Sequence, residues 1–171
     1  KLVANATCAG ALGLSTGLFY APQSFANRAE VITLAQAAAS KGGLYDSHIR
    51  DESSYSIGLM GAIDEALDIG RQAHIPVHIA HIKALGVDVQ GKAPEVIAHI
   101  EAAQKEGLDI TADQYPWSAS GTQLSAALIP RWAQDGGRAA MLARFGDAAT
   151  LARLRPEIEE NLRKRGGAAA I

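Results

Sequence analysis

His48, in LYDSHIRDE, and His81, in IPVHIAHIKALG, each close a short apolar run, and the two stand about one strand–helix–strand repeat apart. A parallel βα barrel delivers side chains from the carboxyl ends of successive strands into one pocket. Two neutral imidazoles arriving there offer nitrogen ligands suited to zinc or another first-row divalent ion. A lone histidine is more often a satisfied core or surface group, so it is the matched positions of the pair that point to a metal.

Other residues near these runs can also do chemistry. Lys83, two residues beyond His81, stays on the same side of the chain and can offer positive charge to an anionic substrate group; an exposed lysine is the plainer account. Tyr20 and Tyr115 each follow a strand, with Pro22 and Pro116 close behind, and phenols so placed can donate to a carbonyl or an oxyanion. Packing competes with that role. Asp46, Arg50, Asp51 and Glu52 crowd His48 and read as an ion-pair network holding the ligand loop, rather than as catalysts. Asp113 can orient a histidine or a water. Strand alternation expects His78 on the face opposite His81, between sheet and helices. His74 closes one helix and His99 sits within another, and neither is assigned to a site. Cys8 reads as a small buried side chain in a helix. The glycines of GALGLSTGL fit neither the dinucleotide fingerprint nor the phosphate loop.

The elements that must position these groups recur along the chain. Apolar runs at 11–18, 44–49, 76–81 and 108–113 start roughly 32 residues apart, the length of one strand, one crossover helix and two loops. Helical periodicity fills the intervals at 30–39, 59–73 and 93–106, with stop signals at Gly42, Pro76 and Gly107. The fold class expected is α/β, a partial (β/α)8 barrel of about four parallel strands with crossover helices, followed by a C-terminal helical segment. After Tyr115 the rhythm changes. The expected division is a partial barrel over 1–117 and, over 118–171, a capping loop and helices of the same domain, with one charged helix at 147–165 that Pro156 can break.

At 171 residues the chain is shorter than the ~250 of a complete eight-stranded barrel, and both ends read as cut, so an internal segment is expected. An open half barrel leaves sheet edges and apolar surface to cover, by more chain or by a second copy, which makes a homo-oligomer an expectation. Sixteen basic against eighteen acidic side chains give a net charge of −2, without the basic patch that nucleic acid requires. No apolar stretch approaches the ~20 residues of a membrane span. The single Cys8 excludes an internal disulfide and fits a reducing compartment, so a cytoplasmic location is expected.

Four ordered blocks, GALGLSTGLFYAP, GGLYDSHIRDE, IGRQAHIPVHIAHIKALG and DITADQYPWSASGT, closely resemble the N-acyl-D-amino-acid deacylases (D-aminoacylases) of the amidohydrolase superfamily. The resemblance implies a metal-dependent βα barrel that hydrolyses the amide of a small-molecule N-acyl-D-amino acid, with one or two zinc ions. It makes His48 and His81 zinc ligands on what would be the fifth and sixth barrel strands. It also implies that Lys83, Tyr20 and Tyr115 bind the substrate's carboxylate and amide, helped by a hydroxyl from Ser120 or Thr122. The family's His-x-His pair, its bridging Cys or Glu and its last-strand aspartate have no counterpart in these residues, so the chain alone is expected to be inactive. A related amidohydrolase acting on cyclic amides and an inactive βα scaffold are the competing readings.

Overall fold

Four short strands alternate with helices in a computed structural model that describes all 171 residues. Helix α1 (Leu2–Cys8) leads into β1 (Gly13–Gly17), followed by α2 (Arg28–Ala39), β2 (Leu44–His48), α3 (Gly58–Ala73), β3 (Val77–Ile79), α4 (Ala93–Lys105) and β4 (Ile110–Ala112). The sheet order is β1-β2-β3-β4, and all three pairings are parallel. The expected half barrel is therefore present.

Local chemistry explains the helix ends. The Asn27 side chain accepts from Glu30 N at 2.9 Å and caps α2, while Glu30 lies in the first turn where negative charge is favoured. Helix α3 ends at His74, which adopts the left-handed conformation usual for such a stop, and Pro76 prevents continuation. The buried stripe of α3, including Ile63, Leu67 and Ile69, joins Val31, Tyr45, Val77, Ile79 and Ile110 in one core cluster between helices and sheet.

Only one face of the sheet is covered by helices. On that face Thr16, Tyr45 and Ser47 link their hydroxyls, with Thr16 Oγ1 2.8 Å from Tyr45 Oη, so these polar atoms are satisfied. The register aligns Ser15, Asp46, His78 and Thr111 across the other face. Ser15 Oγ donates to Asp46 at 3.0 Å, and His78 Nδ1 lies 2.8 Å from Thr111 Oγ1. This corrects the expected position of His78, which shares the His48 face rather than facing the helices. The reason is local: β3 ends at Ile79, and His81 takes a positive φ of 39°, so strict alternation does not extend from 78 to 81.

Beyond β4 an irregular stretch leads to α5 (Leu124–Leu128), α6 (Arg131–Gln134), α7 (Gly137–Phe145) and α8 (Ala148–Lys164). Asp147 caps α8 by accepting from Thr150 N at 2.7 Å. Helix α8 runs through Pro156 unbroken, because Pro156 and Ala152, the residue whose carbonyl loses its donor, both lie on the exposed side. The end of α8 is fastened back onto the barrel loops. Arg163 donates to both Asp88 oxygens at 2.8 and 2.9 Å, and Lys164 Nζ donates to Ser54 O at 2.8 Å. Cys8 is exposed rather than buried. No helix is long and apolar enough to cross a membrane.

Candidate metal centre

His48 is the last residue of β2, and His81 follows the carboxyl end of β3, so both rise from the same rim of the sheet. Their rings lie 4.5 Å apart between centroids, with His48 Nδ1 facing His81 Nε2 at 2.9 Å. Backbone geometry fixes this meeting. The left-handed turn at His81 brings its ring back over the rim, and Asp113 holds the turn by accepting the His81 backbone N–H through Oδ1.

Glu52 completes the cluster. His48, Glu52 and His81 each present a ligand-type atom within 4.8 Å of the others. The Glu52 carboxylate is only 5% exposed and stands 3.3 Å from His81 Nδ1, the nitrogen turned away from His48. Lys83 Nζ pairs with the same carboxylate oxygen and also lies 2.9 Å from His81 Nδ1. Lysine can only donate, so beside it His81 keeps its proton on Nε2 and passes that hydrogen bond to His48.

Metal binding requires a different proton arrangement, and the residues fit it. Both facing nitrogens must present lone pairs, which leaves the His81 proton on Nδ1, where Glu52 stands to accept it. Two nitrogens on one tetrahedral ion sit about 3.3 Å apart, a few tenths of an ångström beyond the separation found between these rings. His48 Nε2 is buried without a partner. Burial, reinforced by positive charge at His81, Lys83 and Arg131, pushes the His48 imidazole down to about 3, so it is neutral and able to donate a lone pair. Burial raises the Glu52 carboxyl, and the neighbouring Lys83 and His81 oppose that rise.

A cavity of about 250 Å³ opens over this cluster, and Tyr20, Lys83, Tyr115, Ser120 and Thr122 all line it with the two histidines. Every site residue expected from the sequence thus meets in one place. Tyr20 Oη lies 3.2 Å from Thr122 Oγ1, and its ring centre is 4.9 Å from that of His48, with the planes tilted by 51°. The Tyr115 phenol is pushed up by burial and by the Glu52 charge, and its ring lies 5.6 Å from Lys83 Nζ. Lys83 is not a free cation, since its charge is shared with Glu52.

Within the HIRDE segment Arg50 and Glu52 make ion pairs, with Glu65 and Lys83, while Asp51 holds the loop through hydrogen bonds alone. Arg50 grips Glu65 of α3 through Nε and Nη2 at 2.8 and 2.9 Å and donates to the carbonyls of Ser24 and Ala26. Asp51 accepts backbone N–H groups from Ser53, Ser56 and Gly58, which tightens the loop. Glu52 goes beyond a loop role, since its carboxylate also lines the cavity beside His81. Its role in the cluster is not read from the sequence, where only its place four residues beyond His48, on a loop after the same strand, could have pointed to it. Arg165 and Phe19 also line the cavity, and no local pattern announced them.

No family model matches the chain. Among curated proteins it is similar to the D-aminoacylase of Alcaligenes xylosoxydans xylosoxydans, at 37% identity over 123 residues, covering 72% of this chain and 25% of that protein. The chain therefore spans about a quarter of the length of the curated relatives it matches. Among solved structures it is similar to the N-acyl-D-glutamate deacylase of Bordetella bronchiseptica, complexed with zinc and a phosphonate mimic of the tetrahedral intermediate. That match has 30% identity and a TM-score of 0.68, over 94% of this chain and 39% of that one. A D-aminoacylase studied for its binuclear metal centre matches at 28% identity and a TM-score of 0.67, over 92% of this chain and 38% of its own. Ordered sequence blocks, the parallel half barrel and the paired rim histidines agree: over the segment it covers, the chain is similar to the D-aminoacylases and N-acyl-D-glutamate deacylases.

Proposed function

We propose that this chain carries part of the pocket of a zinc-dependent amidohydrolase that cleaves the linear amide of N-acyl-D-amino acids, releasing a carboxylate and the free amino acid. The observation that carries this reading is His48 Nδ1 facing His81 Nε2 at 2.9 Å over a cavity lined with hydroxyls. His48 and His81 are the metal ligands. Zinc takes three or four protein ligands, so the remainder, and the general base, come from outside these residues, for one ion or two. When bound, the metal supplies Lewis acidity toward the scissile carbonyl and a water whose pKa falls to about 7.

The chain's own groups bind and orient. With a metal bound, Glu52 would accept the His81 proton on Nδ1 and so leave Nε2 free as a ligand. Tyr20 and Tyr115 place phenol donors where negative charge develops on the carbonyl oxygen. Lys83, with Ser120 and Thr122, binds the polar ends of the substrate. Residues 1–117 form the barrel part, and 118–171 cap the same pocket, since Ser120 and Thr122 line it from above. The unpaired outer edges of β1 and β4 favour a second copy or further chain alongside. The exposed thiol of Cys8 suits a reducing, cytoplasmic setting.

The test is zinc content and hydrolysis of an N-acetyl-D-amino acid, measured on the protein expressed with its flanking sequence. His48→Ala and His81→Ala should each abolish both. Undiminished turnover in either variant refutes the assignment, and faster turnover of a cyclic imide than of the linear amide would move the protein to another branch of the superfamily.

A further inference from the structure

His74 and His81 are the non-glycine residues with a positive φ, at 50° and 39°. His74 ends α3, where that conformation closes a helix. His81 closes no helix, so its backbone needs another cause.

The strand ladder supplies one. Asp113, the residue after β4, donates its N–H to Ile79 O at 3.2 Å and accepts from Ile82 N at 2.9 Å. In a regular parallel ladder a single residue lies between two such bonds, whereas here Ala80 and His81 both do. Ala80 N still donates to Ser47 O of β2 at 3.0 Å, which leaves His81 as the extra residue of a β-bulge. The N–H left over by the ladder is taken by Asp113 Oδ1. One inserted residue also shifts the strand alternation by one, which turns His81 toward the face that carries His48.

The hold belongs to Asp113 alone. His78 Nε2 stands 3.6 Å from the same oxygen, beyond hydrogen-bond reach, and the Asp113 side chain is 65% exposed, so truncating it opens no void. Ligands of a metal site must be kept within about 0.5 Å of their working positions by groups that do not touch the ion.

We propose that Asp113 is a positioning residue of the metal centre: by taking the N–H of the bulged His81 it aims Nε2 at His48 Nδ1, so a side chain that ligates nothing sets the affinity of the pair. This rests on the metal site proposed above, but it concerns binding and is measured without turnover. Zinc affinity of the protein expressed with its flanking sequence is read by competition with a chromophoric chelator.

Asp113→Ala should weaken zinc on the order of tenfold to a hundredfold, the range for partners that orient a ligand. Asp113→Asn keeps an acceptor oxygen and should restore most of the affinity. Thr111→Val, on the same strand and bonded to His78 rather than to His81, should leave it unchanged. With cobalt in place of zinc, the visible spectrum of the saturated Asp113→Ala protein should differ from that of the unsubstituted protein, and that of Asp113→Asn should match it. A purely structural role would lower the urea midpoint and move neither the affinity nor the spectrum.

The proposal is overturned if Asp113→Ala binds zinc as tightly as the unsubstituted protein, if Asp113→Asn is as weak as Asp113→Ala, or if Asp113→Ala does not fold, which would make the residue a support of the fold. Hydrogen exchange at the His81 amide tests the bond without any substitution: slow exchange is expected, and exchange at the rate of a free amide overturns it. His48→Ala retaining zinc removes the metal site and this proposal with it, whereas His48→Ala losing zinc while Asp113→Ala keeps it removes Asp113 alone.

Discussion

On the helix-covered face of the sheet Tyr45, Val77, Ile79 and Ile110 are each no more than 2% exposed, whereas the opposite face carries Ser15, Asp46, His78 and Thr111 in partly open positions. The first face is a core, with its few polar atoms bonded to one another. The second is a polar row leading to a rim where His48, His81 and Glu52 converge. Stability and chemistry are thus separated by strand alternation: side chains one residue apart on β2 serve opposite ends. A parallel sheet in which chemistry sits at the carboxyl rim can change its rim residues without disturbing the packing that holds the rim in place.

That contrast makes predictions of decreasing size. The largest lies behind the sheet, at the buried Arg50–Glu65 pair, whose side chains are 13% and 5% exposed. Glu65→Ala leaves a guanidinium uncompensated and should cost about 3–5 kcal/mol in urea unfolding. A loss below about 1 kcal/mol would show that the helix-side ion pair is not structural. At the rim, Gly86→Ala meets both a left-handed φ and the Lys164 carbonyl, and should cost about 1–3 kcal/mol in urea unfolding. Unchanged stability would show that α8 does not depend on this approach. The smallest effect is expected on the open face. His78→Ala should change stability by no more than about 0.5 kcal/mol and leave zinc content unaltered. A large loss there would erase the distinction between the two faces.

Much of this architecture is legible in the residues, because a period of strand and helix is a local signal repeated several times. The helices at 28–39, 58–73 and 93–105 follow from their apolar spacing and stop residues, and the rim position of His48 follows from where β2 must end. Strand length is less legible. β3 spans only Val77–Ile79, since the chain turns immediately afterwards, and the face assigned to His78 depended on that turn. Glu52 is hidden for a different reason: its neighbours Arg50 and Asp51 make the loop ion pairs and bonds that its composition suggests, while its own partner, Lys83, stands 31 residues away. Arg165 is hidden altogether. Nothing near it in sequence reveals a cavity whose other wall is made by residues 19–122, and the clasps of Arg163 on Asp88 and Lys164 on Ser54 O bring it there.

The order β1-β2-β3-β4 has a bearing on synthesis as well as on the finished molecule. Each strand docks against the one made just before it, so the sheet can grow by single additions as the chain leaves the ribosome, without waiting for distant sequence. The wall built by the end of α8 cannot, because Lys164 bonds to a carbonyl 110 residues earlier and must be translated first. A nascent chain halted between β4 and α8 would hold both rim histidines and still lack Arg165, which lines their cavity from the end of the chain's longest helix.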